Sequence, residues 1–248
     1  MASIVNFYER IPSKYKPKQI DYKSKDKLQL SLCLRACCIG SSGSMKTNFV
    51  CNLIAQIGAF NKIFLFVKDP TESLYKFLID HFQEIEKKVK EPIIFFSNDP
   101  SEIPDYEFFD PKYNNLCIFD DLINEKSKDL QNVANLYTMG RKRNVSSIFI
   151  SQSYFQIPKI IRQNTDVLFI LKVNTVRDLH RILSEYQLEA TREQIEKMYK
   201  IATRKKGDVF TIDVANQDPN LRYRHNFTGF KLPDSENYDD SENYEEDN

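Results

Sequence analysis

The stretch "LRACCIGSSGSMKTNF", residues 34–49, constrains the fold more than any other part of the chain. An apolar run of the kind found in a sheet centre ends at Gly40, and five small or flexible residues follow. Lys46-Thr47 then opens a segment in which Phe49, Leu53, Ile54 and Ile57 recur at helical spacing, with Gly58 as the expected stop. Strand, tight loop and helix in that order form the first part of a β-α-β unit, and such units build parallel sheets.

The rest of the chain repeats the alternation. Residues 1–26 are polar and Lys-rich, broken by Pro12 and Pro17, and predict an extended lead-in with little regular structure. "LQLSLCLRACCIG" (28–40), "KIFLFVKD" (62–69), "PIIFFS" (92–97), "NNLCIFDDL" (114–122), "SSIFISQS" (146–153) and "DVLFILKVN" (166–174) predict six strands. Helices are expected over 46–60, 71–90, 128–142, 175–186 and 191–203, the second behind a Thr/Glu cap region. "GDVFTIDVAN" (207–216) closes the pattern as a strand or hairpin. Right-handed crossovers then place helices on both faces of one mostly parallel α/β sheet, in one domain spanning 27–230.

With 248 residues, 41% of them hydrophobic, the chain is long enough for that single domain and its core. No apolar run approaches the roughly 20 residues of a membrane span, and the first residues lack a signal-peptide pattern. Five cysteines, an odd number placed mainly in apolar segments, fit a reducing intracellular compartment. Adjacent Cys37-Cys38 and only three histidines argue against zinc. The formal net charge is zero, but residues 231–248 hold eight acids and one Lys, which leaves 34 basic and 27 acidic residues in 1–230, a net of +7. A basic body suits a polyanionic partner, although a solvated basic face is the plainer reading. The tail repeats Asp-Ser-Glu-Asn-Tyr and has the composition of a disordered segment.

Gly40, Ser41, Ser42, Gly43, Ser44, Met45, Lys46 and Thr47 have the chemistry of a phosphate-binding loop. Such a loop turns backbone N–H groups inward at a helix start, sends a lysine to the β/γ-phosphates and supplies a hydroxyl to Mg²⁺. Met45 stands where the motif has its second glycine; a negative φ there would let the side chain point away from the nucleotide. An apolar strand ending in Asp120-Asp121 suggests a cation at that strand end, since two carboxylates beside a buried strand are costly. Gln152 follows another strand at the sheet edge where α/β folds bind ligands. Taken singly, each of the last two features has a bland reading, as a strand-end cap or a satisfied amide.

In this order the loop, Asp120-Asp121, "GRKRNVSSIFISQS" and "IPKIIRQNTDVLFILK" resemble the FtsK–HerA superfamily of P-loop motors over about residues 28–185. More narrowly they resemble the genome-packaging ATPases of large DNA viruses and virophages, the Sputnik type among them. The resemblance implies a RecA-like P-loop NTPase fold, ATP and Mg²⁺ as cofactors, a homo-oligomeric ring, and double-stranded DNA as the cargo packaged into a capsid. Lys46 would contact the β/γ-phosphates, Thr47 and Asp120 the metal, and Gln152 would sense the γ-phosphate. Asp121 would activate water, with an arm one methylene shorter than the glutamate of many relatives. An arginine acting across the ring interface is implied too, with Arg162 favoured, Arg141 next, and Arg143, Arg177 and Arg181 as competitors. A capsid protein would be the partner, and the virion or the host-cell cytoplasm the location. Two other readings are a cellular-type helicase or conjugation-like motor, and a nucleotide-binding structural or regulatory protein in which Met45 has abolished turnover.

Overall fold

The computed structural model describes residues 6–13, 20–122, 127–188 and 190–230. The acidic tail and most of the first nineteen residues, on which two of the expectations above fall, lie outside or at the margin of that set. The lead-in is more structured than expected: it includes short helices α1 (Phe7–Arg10) and α2 (Lys25–Leu28). Tyr22 is buried, and its hydroxyl donates to the Leu30 carbonyl at 2.8 Å. The packed body therefore begins before residue 27.

Six parallel strands carry the centre: β1 (Arg35–Ile39), β2 (Lys62–Val67), β3 (Ile94–Ser97), β4 (Asn115–Asp120), β5 (Val145–Ser151) and β6 (Val167–Ile170). Three antiparallel strands extend one side, β7 (Phe210–Asp213), β8 (Tyr223–His225) and β9 (Thr228–Gly229), so the closing hairpin is present. The nine strands run in the order β3-β2-β4-β5-β1-β6-β7-β8-β9. Strand β5 thus lies between β1 and β4. The residues that end β1, β5 and β4 share one level, since Ile39 pairs with Ser151 and Asp120 with Ile150.

Helices α3 (Lys46–Ile57), α4 (Ser73–Val89), α5 (Ser127–Met139), α6 (Lys159–Gln163), α7 (Val176–Glu185) and α8 (Arg192–Ala202) flank the sheet. Two apolar clusters divide between them, one holding Phe149, Leu168 and Tyr199, the other Phe49, Leu53, Ile118 and Phe169. Each central strand is buried on both sides, which is why its sequence is a continuous apolar run rather than an alternation. Gly58 ends α3 in the left-handed region, φ +58°, as its position in sequence suggested. The expected cap of α4 is absent: Glu72 precedes the helix with no side-chain cap bond, and Thr71 instead bonds Asp69.

The first strand departs most from expectation. It spans 35–39 rather than 28–40, because residues 25–28 are helical and Gln29 turns through φ +48°. Leu28, Leu30 and Leu34 are still buried. The alternation reports burial, but the backbone of Leu34 donates to the Ser146 hydroxyl and accepts from Ser147 instead of forming a longer ladder.

Candidate active site

Gly40 ends β1 with its N–H donating to the Ser151 carbonyl at 3.2 Å. A side chain is excluded there, since a Cβ would stand 2.5 Å from Ser44 Oγ and 2.9 Å from Leu171 Cβ. Gly43 has space around it but takes φ +73°. Met45, immediately before α3, also takes a left-handed conformation, φ +76°. The negative φ expected for it is not found. The loop keeps the backbone that a glycine would adopt easily, and the methionine, which also lines the cavity beside the loop, packs against Gly207, whose Cβ, if present, would lie 3.1 Å from Met45 Sδ.

A cavity of about 440 Å³ opens beside this loop. Ser42, Gly43, Lys46, Thr47, Asp120, Asp121 and Gln152 all line it, so the structure brings together most of the residues singled out in sequence. The Lys46 ammonium donates to the carbonyls of Gly40 (2.8 Å) and Ser41 (3.1 Å). The first N–H groups of α3 have no partner inside the helix and belong to residues of the same wall, the arrangement that favours an anion.

With β5 between them, Gly40 and Asp120 are two strands apart, about 10 Å at ordinary strand spacing. Gln152, one residue beyond β5, falls in that gap. Asp120 is held by the Tyr75 hydroxyl, which donates to its Oδ2. Tyr75 is buried in the first turn of α4. Burial, only partly offset by the Tyr75 bond and the Lys46 charge, raises the Asp120 carboxyl to about 6. Asp121 takes φ +59° and stands 3.8 Å from Lys68 Nζ, with its side chain 44% exposed.

The donor set fits Mg²⁺. Among the described residues no group of three or more His, Cys, Asp or Glu is placed to hold a metal, whereas Mg²⁺ takes one or two protein oxygens and completes its shell with phosphate and water. Thr47 and Asp120, which line the same cavity, are oxygen donors of that kind.

The arginines do not gather at this cavity. Arg162, 15% exposed, donates to both Glu185 carboxylate oxygens at 3.2 Å and to the Ile157 carbonyl at 3.1 Å, and lies 4.8 Å over the Tyr154 ring. It is tied within its own subunit rather than free to reach across an interface. Arg141 is 53% exposed and bonds Asp166, which Arg35 already clasps at 2.6 and 2.8 Å. Arg177 lies over Phe155 and Arg181 bonds Glu185.

Sequence reasoning missed Tyr75, Glu72 and Lys68, which line the same cavity. The one available signal was topological: all three follow β2, at the sheet edge where Gly40 and Asp120 also emerge.

Fold and site together define a P-loop ATPase: a mostly parallel sheet between helices, a glycine loop at the start of α3, and acidic residues two strands away. The profile of the poxvirus A32 protein family matches residues 21–216, and the chain belongs to that family. Its fold is similar to that of the genome packaging NTPase B204 from Sulfolobus turreted icosahedral virus 2. The B204 complex with ATPγS aligns at TM-score 0.50 with 13% identity, covering 75% of this chain and 95% of that one. The complex with AMP aligns at 0.50 with 16% identity, covering 74% and 93%. Comparison with curated proteins gave no match.

Proposed function

We propose that this chain hydrolyses ATP with Mg²⁺ to drive double-stranded DNA into a viral capsid, working as a homo-oligomeric ring in the virion or the host-cell cytoplasm. The observation that carries the reading is the convergence of the glycine loop, Lys46, Thr47, Asp120 and Gln152 on one cavity. Family membership and the likeness to a packaging NTPase supply the cargo.

In this reading the loop N–H groups and Lys46 bind the β/γ-phosphates, and Thr47 and Asp120 hold Mg²⁺. The metal, when bound, neutralises the phosphate charge that develops as the terminal group departs. Asp121, exposed and one residue beyond the strand, orients and deprotonates water, while Gln152 reaches the γ-phosphate from the strand between. Arg141 is the better candidate for a group acting across a subunit interface: its side chain is 53% exposed and Asp166 stays paired with Arg35 when Arg141 leaves, whereas Arg162 is 15% exposed and tied to Glu185, Ile157 and Tyr154.

Phosphate release by the purified protein, with and without duplex DNA and alongside Lys46→Ala, tests the proposal. DNA-stimulated turnover that Lys46→Ala abolishes in a folded protein is expected. Nucleotide binding without turnover would favour a regulatory role, and full activity in folded Lys46→Ala would overturn the loop's assignment.

A further inference from the structure

Gln152 carries the proposed contact with the γ-phosphate, yet its own side chain is exposed in the cavity wall and makes no hydrogen bond among the described residues. What fixes it is the chain on either side. The Ser151 hydroxyl donates to the Ser153 carbonyl at 2.8 Å and accepts from the Ser153 N–H at 3.2 Å, so the two serines close a small ring around the glutamine. The Ser153 hydroxyl donates in turn to Asp178 Oδ1 at 3.0 Å. Asp178 is 6% exposed and lies in the first turn of α7, behind the Thr175 cap. A helix start favours a carboxylate, and a buried carboxylate depends on the donors that reach it. Helix α7 grips the next two residues as well. Glu185, two helical turns after Asp178 and so on the same face, accepts from the Tyr154 hydroxyl, and Arg177 lies 5.0 Å over the Phe155 ring.

We propose that Ser153 and Asp178 are positioning residues for Gln152: the Asp178 carboxylate, through the Ser153 hydroxyl, holds the turn that aims the glutamine at the terminal phosphate. The inference rests on the reading of Gln152 as the residue that meets the γ-phosphate. A long side chain keeps its aim only while the backbone beneath it stays still, and a displacement of about 1 Å at a reacting group can cost on the order of 10² in rate. Neither Ser153 nor Asp178 lines the cavity. Their loss therefore falls on the transfer step and leaves nucleotide affinity alone.

The test follows single-turnover phosphate release by the full chain at saturating ATP and Mg²⁺, with nucleotide affinity and melting temperature measured beside it. Ser153→Ala should release phosphate about tenfold more slowly, the worth of one hydrogen bond to a charged group, with affinity and melting temperature close to the parent's. Ser153→Thr, which restores the hydroxyl, should recover most of the rate. Asp178→Asn, which keeps an acceptor oxygen without the charge, should slow release by a smaller factor. Once Gln152→Ala is in place, neither Ser153→Ala nor Asp178→Asn should slow release further, because residues that act through one side chain do not add. A loss as large in the Gln152→Ala background as in the parent overturns the proposal. So does slow release by Gln152→Ala beside unimpaired Ser153→Ala, an outcome that leaves the reading of Gln152 standing. If Gln152→Ala itself releases phosphate at the parent's rate, that reading fails and the positioning role fails with it.

Discussion

At the scale of single residues, Met45 shows how a motif position can change its side chain and keep its backbone. A left-handed conformation costs a non-glycine residue about 1–2 kcal/mol, and contact with Gly207 offsets part of that. Met45→Gly should therefore change stability by no more than about 1 kcal/mol, since strain relief and added chain entropy oppose each other. It should keep or raise ATP affinity in a nucleotide titration. Met45→Val, β-branched at the same φ, should lower the melting temperature and weaken binding; equal behaviour of the two variants would mean that the loop is not strained there. Asp120 gives a signed pH effect. Its carboxyl sits near 6 when folded, above its value of 3.8 in the unfolded chain. The resulting stabilisation is complete below pH 4 and is lost as pH rises through 6. In metal-free protein, Asp120→Asn should thus melt higher than the parent at pH 8, by at most about 3 kcal/mol, with the gap closing toward pH 4. The same variant should lose Mg²⁺-dependent ATP binding. Asp121→Asn should retain ATP but cleave it about 10²–10⁴ times more slowly. Mild and equal effects of the two substitutions would mark the pair as structural caps.

At the scale of elements, α4 brings to the site the residue that holds Asp120. Tyr75→Phe removes the hydroxyl that bonds Asp120. About tenfold more Mg²⁺ should be needed for half-maximal ATP binding, with α4 and the melting profile little changed; an unaltered Mg²⁺ requirement would make Tyr75 a packing residue only. Most elements were legible because the central strands are buried on both faces, so their apolar runs stop where the chain leaves the sheet, as at Gly40 and Asp120. The loop was legible for the same reason. The 28–34 segment was not: Leu28 and Leu30 are buried without strand pairing, and periodicity cannot distinguish the two. Tyr75 was hidden because an aromatic at the start of an amphipathic helix has the pattern of core. Its partner, Asp120, is 45 positions further along the chain. The tie between Arg162 and Glu185 spans 23 positions and has no local signature either.

At the scale of the whole molecule, charge and connectivity matter most. The net +7 of residues 1–230 predicts DNA binding through backbone phosphates, steep in salt and nearly blind to sequence. If the acidic segment competes for that surface, deleting 232–248 should tighten DNA binding at low ionic strength and leave basal ATPase unchanged. Equal affinity with and without the segment would leave it a solubilising or partner-binding role. Connectivity is visible at Arg224, fully buried and paired with Asp213, with its guanidinium also donating to the carbonyls of Leu28 and Gln29. Asp213→Ala should cost about 3–5 kcal/mol in a denaturant titration, because it leaves a buried cation without its counter-charge; a loss below 1 kcal/mol would show that water reaches the site. The Arg224–Leu28 bond spans 196 positions. On the ribosome, then, the first strand emerges long before either of its neighbours, and the clasp on residues 28 and 29 waits for the last hairpin. An apolar strand carrying two cysteines therefore has no partner until residues 145–170 are made, so apolar surface that the finished sheet buries stands open over that stretch of synthesis.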